Sequence, residues 1–314
     1  MPIKIPNDLP ASKILKEENI FVMDETRALS QRIRPLKLII VNIMPTKIVT
    51  ETQLLRLLSN TPLQIEVDWL CMESHNSKNT PQEHLMEFYK TFNEIKDNKY
   101  DGLIVTGAPV EKLKFEDVDY WDELTKIFDW ANTNVFSSFF ICWASQASLY
   151  YYYGVEKYQL KEKLTGVYHH HTNPEKMRRR ILRGFDYQFY APHSRYTSVK
   201  KEDIEKIDSL DILASSNDAG VYLVAEKDGS RFFVTGHPEY DPDTLDKEYH
   251  RDLAKGGDCV MPKNYYKNDG VNDEILVKWR SHAYLLFSNW LNYYVYQNTP
   301  YNLDDLLKMK TTNK

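Results

Sequence analysis

Hydrophobic and polar positions along the first half of the chain follow two periods in turn. Residues 37–44, Lys-Leu-Ile-Ile-Val-Asn-Ile-Met, form a β-rich run stopped by Pro45, and Leu54, Leu55, Leu57 and Leu58 then recur at helical spacings within residues 51–59. Leu63, Ile65, Val67 and Trp69 alternate with Gln64, Glu66 and Asp68, the period of a strand with one wet face near a sheet edge. A helical segment is expected over residues 82–95, and Gly102-Leu-Ile-Val-Thr-Gly107 reads as a strand entering a Gly-Ala-Pro turn. A helix over residues 121–130 and a central strand over 135–141 follow. This alternation predicts an α/β fold, a doubly wound, mostly parallel sheet with helices on both faces.

The second half is more mixed. Apolar runs at 221–225 and 231–235 flank Asp228-Gly229, a hairpin signal that adds an antiparallel element to the sheet. Residues 242–255 and 275–297 read as helices, the second so rich in Trp, Tyr, Leu and Phe that it must pack on the body of the fold. No linker, repeat or low-complexity tract interrupts the chain, so residues 1–314 are read as a single domain with its core at about 35–300.

Composition narrows the function classes. With 40 Lys and Arg against 45 Asp and Glu the net charge is −5, the wrong sign for a dedicated polyanion binder, so no nucleic-acid partner is expected. Residues 1–8 contain no apolar export region, which predicts a cytoplasmic protein. Cys71, Cys142 and Cys259 are far apart and form no C-x-x-C pair, against both a disulfide framework and a zinc site. Residues 131–155 carry no charge and are long enough to span a bilayer, but Ser137, Ser138, Ser145, Gln146, Ser148 and the tyrosines at 150–153 suit a buried strand and helix better.

One cysteine has a privileged setting. Cys142 falls between the strand at 135–141 and the helix beginning near Trp143, and ligands of open α/β sheets gather outside the carboxyl ends of strands. A helix amino terminus carries about half a positive charge that favours a thiolate, and the N–H of Trp143 is a ready oxyanion donor. The bland alternative is a small buried residue. His237 and Glu239 directly follow the strand at 231–235, and a carboxylate two residues from an imidazole can fix its tautomer in a nucleophile, base and orienter triad.

Two signals are set aside. His169, His170 and His171 invite a metal reading, but consecutive side chains on a strand point to opposite faces, so no metal site is expected. The basic run at 176–180 with Arg183 is expected to be a solvated helical face rather than a phosphate site. Cys71 and Cys259 lack the strand-to-helix setting of Cys142.

Several long motifs in order carry a resemblance. Asn42-Ile-Met-Pro-Thr-Lys47, Gly107-Ala-Pro109, Cys142-Trp143, Ala191-Pro-His-Ser-Arg-Tyr196, Gly236-His-Pro-Glu-Tyr240, Trp279-Arg-Ser-His282 and Asn289-Trp-Leu-Asn-Tyr-Tyr-Val-Tyr296 together resemble the homoserine O-acyltransferases of methionine biosynthesis, which share the class I glutamine amidotransferase-like fold. The resemblance runs from about residue 1 to 302. It implies that Cys142 takes the acyl group from acyl-CoA, that His237 deprotonates the hydroxyl of L-homoserine and that Glu239 holds the imidazole. By the same pattern Lys163, Ser194 and Arg251 bind substrate, Arg251 being a candidate for the carboxylate with an ion pair inside its own helix as the alternative. Lys47 stands where the family has a lysine near the site, against a reading as an exposed charge.

Glu111, two residues after Pro109, falls where the family pattern associates glycine with succinyl-CoA and glutamate with acetyl-CoA, so acetyl-CoA is the expected co-substrate and no cofactor is expected. The resemblance also suggests a homodimer with no membrane partner. One departure is Ala144-Ser145 where the family commonly has Gly-Ala after Cys-Trp. A glutamine amidotransferase normally has a Gly-x-Cys-x-Gly elbow, which Phe140-Ile-Cys-Trp-Ala144 lacks, and a binding protein without catalysis is the other alternative.

Overall fold

A computed structural model describes the chain apart from residues 1–2, 7–8, 19–22, 25–33, 76–78, 257–258, 269, 272 and 307–314. Part of the segment on which the export-signal reading rests, and Gly257 beside Cys259, lie outside the described residues. The strands are β1 Ile3–Ile5, β2 Met23–Asp24, β3 Leu36–Val41, β4 Ile65–Leu70, β5 Tyr89–Lys90, β6 Tyr100–Val105, β7 Val135–Ile141, β8 Lys157–Thr172, β9 Gln188–Val199, β10 Leu210–Ser216, β11 Gly220–Glu226 and β12 Arg231–Val234. The α-helices are α1 Ala11–Glu17, α2 Lys47–Leu58, α3 Gln82–Phe88, α4 Phe92–Ile95, α5 Trp121–Asn134, α6 Trp143–Tyr153, α7 Lys201–Glu205, α8 Thr244–Ala254 and α9 Arg280–Trp290.

All these strands join one sheet in the order β2-β1-β4-β3-β6-β7-β12-β11-β10-β8-β9, with β5 beside β4. From β2 to β12 every pairing is parallel, and from β12 onward every pairing is antiparallel. The expected antiparallel element is therefore a five-strand wing, much larger than the hairpin at Asp228-Gly229. Strand β12 belongs to both halves, and through it the wing is welded to the carboxyl end of β7.

Alternation distributes the central strands between two cores. Leu38, Ile40, Ile104, Phe139, Ile141 and Val234 face α2 and α9, while Ile39, Val41, Leu103, Val105, Phe140 and Phe233 face α5 and α6. Burial on both faces explains why β3, β6 and β7 read as unbroken apolar runs. The uncharged stretch 131–155 resolves into the end of α5, all of β7 and α6, and among the described residues no helix is long and apolar enough to cross a membrane.

Several boundaries differ from the sequence reading. The segment 82–95 is two short helices separated by β5, because Tyr89 and Lys90 pair with β4 and Thr91 restarts the helix through a capping box with Glu94. Strand β3 stops at Val41, since the Asn42 side chain turns to Tyr89 and Lys47. The helix expected over 275–297 is α9 alone, followed by a wide π turn at Leu291–Tyr296. The basic run is a solvated helical face only in part: Arg178, Arg180 and Arg183 are exposed beside two short 3-10 turns, whereas Lys176 pairs with Asp211 at 2.8 Å and Arg179 donates to the carbonyls of Glu226 and Lys227 at 2.7 and 2.8 Å.

Candidate active site

The carboxyl ends of β3, β6, β7 and β12 open on the same edge, delivering Lys47, Gly107, Cys142 and His237 in turn. Cys142 has φ 50° and ψ −113°, a left-handed backbone that among the described non-glycine residues only Asn264 shares in sign. Such a conformation costs about 1–3 kcal/mol and is tolerated where the surroundings fix it. Here the Cys142 N–H donates to the Val234 carbonyl at 2.7 Å, and its own carbonyl accepts from Ser145 Oγ at 2.6 Å. The thiol is thereby turned out at the amino terminus of α6, where the N–H groups of Ser145 and Gln146 already donate to the Cys142 carbonyl at 3.0 and 3.3 Å and those of Trp143 and Ala144 precede the first intrahelical bond. Ala144 is fully buried in that turn, so the departure from glycine leaves the elbow intact.

His237 meets this elbow from β12. Its backbone N–H donates to the Pro192 carbonyl at 2.8 Å, its Nδ1 lies 2.7 Å from Glu239 Oε1, and its ring stacks on Tyr240 with centroids 4.1 Å apart. The ring also hydrogen-bonds Cys142. Burial opposes the imidazolium, but the charges and hydrogen bonds of Cys142 and Glu239 outweigh it and raise the His237 pKa well above the ordinary histidine range. Two glycines leave the room this contact needs. A Cβ on Gly107 would lie 3.3 Å from both Cys142 Cβ and His237 Cε1, and one on Gly236 would lie 2.7 Å from the Pro192 carbonyl oxygen.

The substrate-binding candidates gather on one side of this line. Ser194 Oγ donates to Glu248, Tyr240 Oη donates to the other oxygen of Glu248 at 2.8 Å, and Lys163 Nζ lies 2.8 Å from Asp252 and 3.5 Å from Glu248. Lys163 is mostly buried, and although burial works against its charge, Glu248 and Asp252 raise its pKa. Arg251 is half exposed and pairs with Asp252 at 2.9 Å, so the ion pair within its own helix is formed. Glu111 interacts with His237, Lys163 and Glu248, and burial raises its pKa. The structure thus brings all seven candidates to one locality.

Glu248 is the residue that sequence reasoning missed as a hub. Its i,i+4 relation to Asp252 on α8 places both carboxylates on one helix face, a spacing visible in the sequence. Lys47 is not an exposed charge: it is buried, donates to the Asn42 carbonyl and lies over the Tyr89 ring, and burial lowers its pKa to about 8 against the raising influence of Cys71 and Glu51. The histidine run alternates as a strand requires. His169 and His171 contact each other with centroids 4.7 Å apart, whereas His170 points into the interior.

Comparison with known proteins supplies what geometry alone does not. A solved glutamine amidotransferase from Thermotoga maritima superimposes with a TM-score of 0.54 at 12% identity, covering 82% of this chain and 98% of that one, which places the fold in the glutamine amidotransferase-like class. Proteins named homoserine O-acetyltransferase match over almost the full length: 72% identity with that of Catenibacterium mitsuokai, covering 99% of this chain and 100% of the relative, and 59% with that of Acetivibrio thermocellus, covering 98% and 100%. A family model described as homoserine O-succinyltransferase matches residues 2–301, and the chain accordingly belongs to this family of homoserine O-acyltransferases.

Proposed function

We propose that the protein transfers the acetyl group of acetyl-CoA to the hydroxyl of L-homoserine through a thioester on Cys142, giving CoA and O-acetyl-L-homoserine for methionine biosynthesis. The observation that carries the reading is the unbroken line from Cys142 through His237 to Glu239 at the strained elbow, with Glu111 beside it.

The thiolate of Cys142 attacks the thioester carbonyl, and the N–H of Trp143 at the start of α6 serves the oxyanion. Collapse expels the CoA thiolate, which takes the proton of the His237 imidazolium. The neutral ring then removes the hydroxyl proton of homoserine as that oxygen attacks the acetyl-enzyme, and expulsion of Cys142 restores the starting pair. An alcohol is a poor nucleophile at neutral pH, so this second step needs the base, whose help is typically worth about 10²–10⁴-fold. Glu239 keeps Nδ1 protonated throughout, leaving the other nitrogen free to shuttle the proton.

Homoserine itself carries an ammonium and a carboxylate. Glu248, held by Ser194 and Tyr240, offers the anion for the ammonium, and Arg251 and Lys163 offer cations for the carboxylate once drawn from Asp252. Glu111 occupies the space a longer acyl chain needs, and its carboxylate repels the terminal carboxylate of a succinyl group. The reading carries with it a cytoplasmic homodimer that uses acetyl-CoA as co-substrate without a resident cofactor.

Thiol release from acetyl-CoA and succinyl-CoA, each with and without L-homoserine, tests the proposal. Homoserine-dependent release from acetyl-CoA is expected. Preference for succinyl-CoA would overturn the role of Glu111, and glutaminase activity with silence toward both thioesters would overturn the transferase.

A further inference from the structure

His237, Pro238, Glu239 and Tyr240 form one tight turn. The Tyr240 N–H donates to the His237 carbonyl at 3.3 Å, and Pro238 stands at the first central position, which its fixed φ suits. The turn folds the Tyr240 ring back onto the imidazole, with centroids 4.1 Å apart and planes 19° from parallel. Tyr240 is buried, its carbonyl accepts from Trp279 Nε1 at 3.0 Å, and it packs in a small core with Val167, Leu245, Tyr265, Tyr266 and Trp279. Its ring is a fixed plate rather than a loose cover.

The face of that plate acts on the base. The bond between Nδ1 and Glu239 at 2.7 Å holds one point of the imidazole and leaves the ring able to tilt about it. A parallel aromatic face removes that freedom. The face of a phenol ring also attracts a cation, so the same contact favours the imidazolium over the neutral ring.

The hydroxyl of the same residue acts on the carboxylate of Glu248. Tyr240 Oη donates to Glu248 Oε1 at 2.8 Å, and Ser194 Oγ donates to Oε2. Ser194 reaches this side because it alternates along β9 with Arg195, which is fully buried. Lys163 stands 3.5 Å from Oε2 but only 2.8 Å from Asp252. Opposite charges so close attract, and the two hydroxyl bonds keep Glu248 from closing that gap. Freed at Oε1, the carboxylate would turn to Lys163, and the anion that an ammonium needs would be neutralised.

We infer that Tyr240 is a positioning residue with two separable ends: its ring face sets the plane of His237, and its hydroxyl holds Glu248 open for the ammonium of the acceptor. One rigid side chain thereby aligns the base with the molecule it deprotonates. The acceptor end rests on the proposed function, since it takes homoserine as the acceptor; the base end rests on the stacking alone.

Two variants separate the ends. Tyr240→Phe keeps the ring and removes the hydroxyl, so KM for homoserine is expected to rise about tenfold, as for loss of a hydrogen bond to a charged group. Its single-turnover CoA release from acetyl-CoA and its rate of Cys142 alkylation by iodoacetamide should match the wild type. In a Glu248→Gln background the same substitution should add little to KM, because the charge it holds is gone. Tyr240→Leu removes the face as well, so kcat is expected to fall about 10–100-fold and alkylation about threefold or more. An unchanged KM in Tyr240→Phe, or a loss of CoA release in that variant, overturns the inference, as does a folded Tyr240→Leu with wild-type kcat and alkylation. Alkylation needs no substrate, so failure of the transferase reading, seen as wild-type silence toward acetyl-CoA, is distinguishable from failure of this one.

Discussion

The N–H of Cys142 donates to the carbonyl of Val234 at 2.7 Å, and that bond extends the parallel pairing of β7 with β12 one residue past Ile141. Neighbouring strands lie about 4.8 Å apart, so a nucleophile one residue beyond β7 and an imidazole three residues beyond β12 are brought within reach by sheet register alone. The same bond fixes the backbone of Cys142 in its left-handed conformation.

Removing the thiol should release the imidazole from one of its two raising influences. In Cys142→Ala, burial of His237 still disfavours the charged ring and only Glu239 opposes it. The His237 pKa is expected to fall, measured by titrating its ring proton resonances in both proteins. A titration that does not move would show that the pair is uncoupled. The variant should also form no acyl-enzyme and release no CoA.

Gly107→Ala tests how tightly that pair is held. The added Cβ would meet Cys142 Cβ and His237 Cε1 at 3.3 Å each, closer than ordinary contact, and both neighbours are fixed by hydrogen bonds. We expect kcat to drop about 10–100-fold, since small misplacements of reacting groups cost about that much, with the melting temperature nearly unchanged. A variant with full kcat would mean that the contact has slack.

How far the sequence disclosed this site depends on the range of the interactions. Cys142, His237 and Glu239 were legible because each sits at a strand end within a few residues of its signal. The break of 82–95 at Tyr89 was hidden because β5 forms only through pairing with a strand distant in sequence. The five-strand wing was hidden for the same reason: β8 and β9 pair across a loop whose basic residues suggest a helix. Burial of Lys47 and Arg195 was out of reach, since a lysine at a helix start and an arginine in a strand look solvent-facing until the partner elements are placed.

Lys47 gives a prediction for stability against pH. Its pKa is lowered from 10.5 to about 8, chiefly by burial, so between those values the unfolded chain binds more protons than the folded one. Stability from this group therefore rises with pH from 8 to 10.5 and is lowest below 8, where the shift amounts to about 3 kcal/mol of penalty. Lys47→Met should be relatively more stable than wild type near neutrality, the gap closing as pH rises, read from urea midpoints of both proteins. A gap independent of pH would place the Lys47 ammonium in a solvated setting.

Glu111→Gly should open the acyl pocket. Loss of one side chain and one repulsive charge is worth about 1–3 kcal/mol of discrimination, so the ratio of kcat/KM for acetyl-CoA to that for succinyl-CoA is expected to fall about 10–100-fold. An unchanged ratio would show that Glu111, although coupled to His237 and Lys163, does not face the acyl chain.

The role given to Glu248 can be separated from acyl transfer by dividing the reaction. Ser194 and Tyr240 each donate to one oxygen of this carboxylate, and Lys163 stands 3.5 Å away, so its charge is held in place before any substrate arrives. Glu248→Gln keeps the shape and removes the charge that an ammonium requires. A hydrogen bond to a charged group contributes about 1.5–3 kcal/mol, which predicts about a 10–100-fold rise in KM for homoserine. The first half-reaction involves no ammonium, so the rate of CoA release in a single turnover without homoserine should stay near that of the wild type. Equal losses in both half-reactions would instead mean that Glu248 supports the elbow through Tyr240 and His237, whose rings are stacked, rather than holding the acceptor.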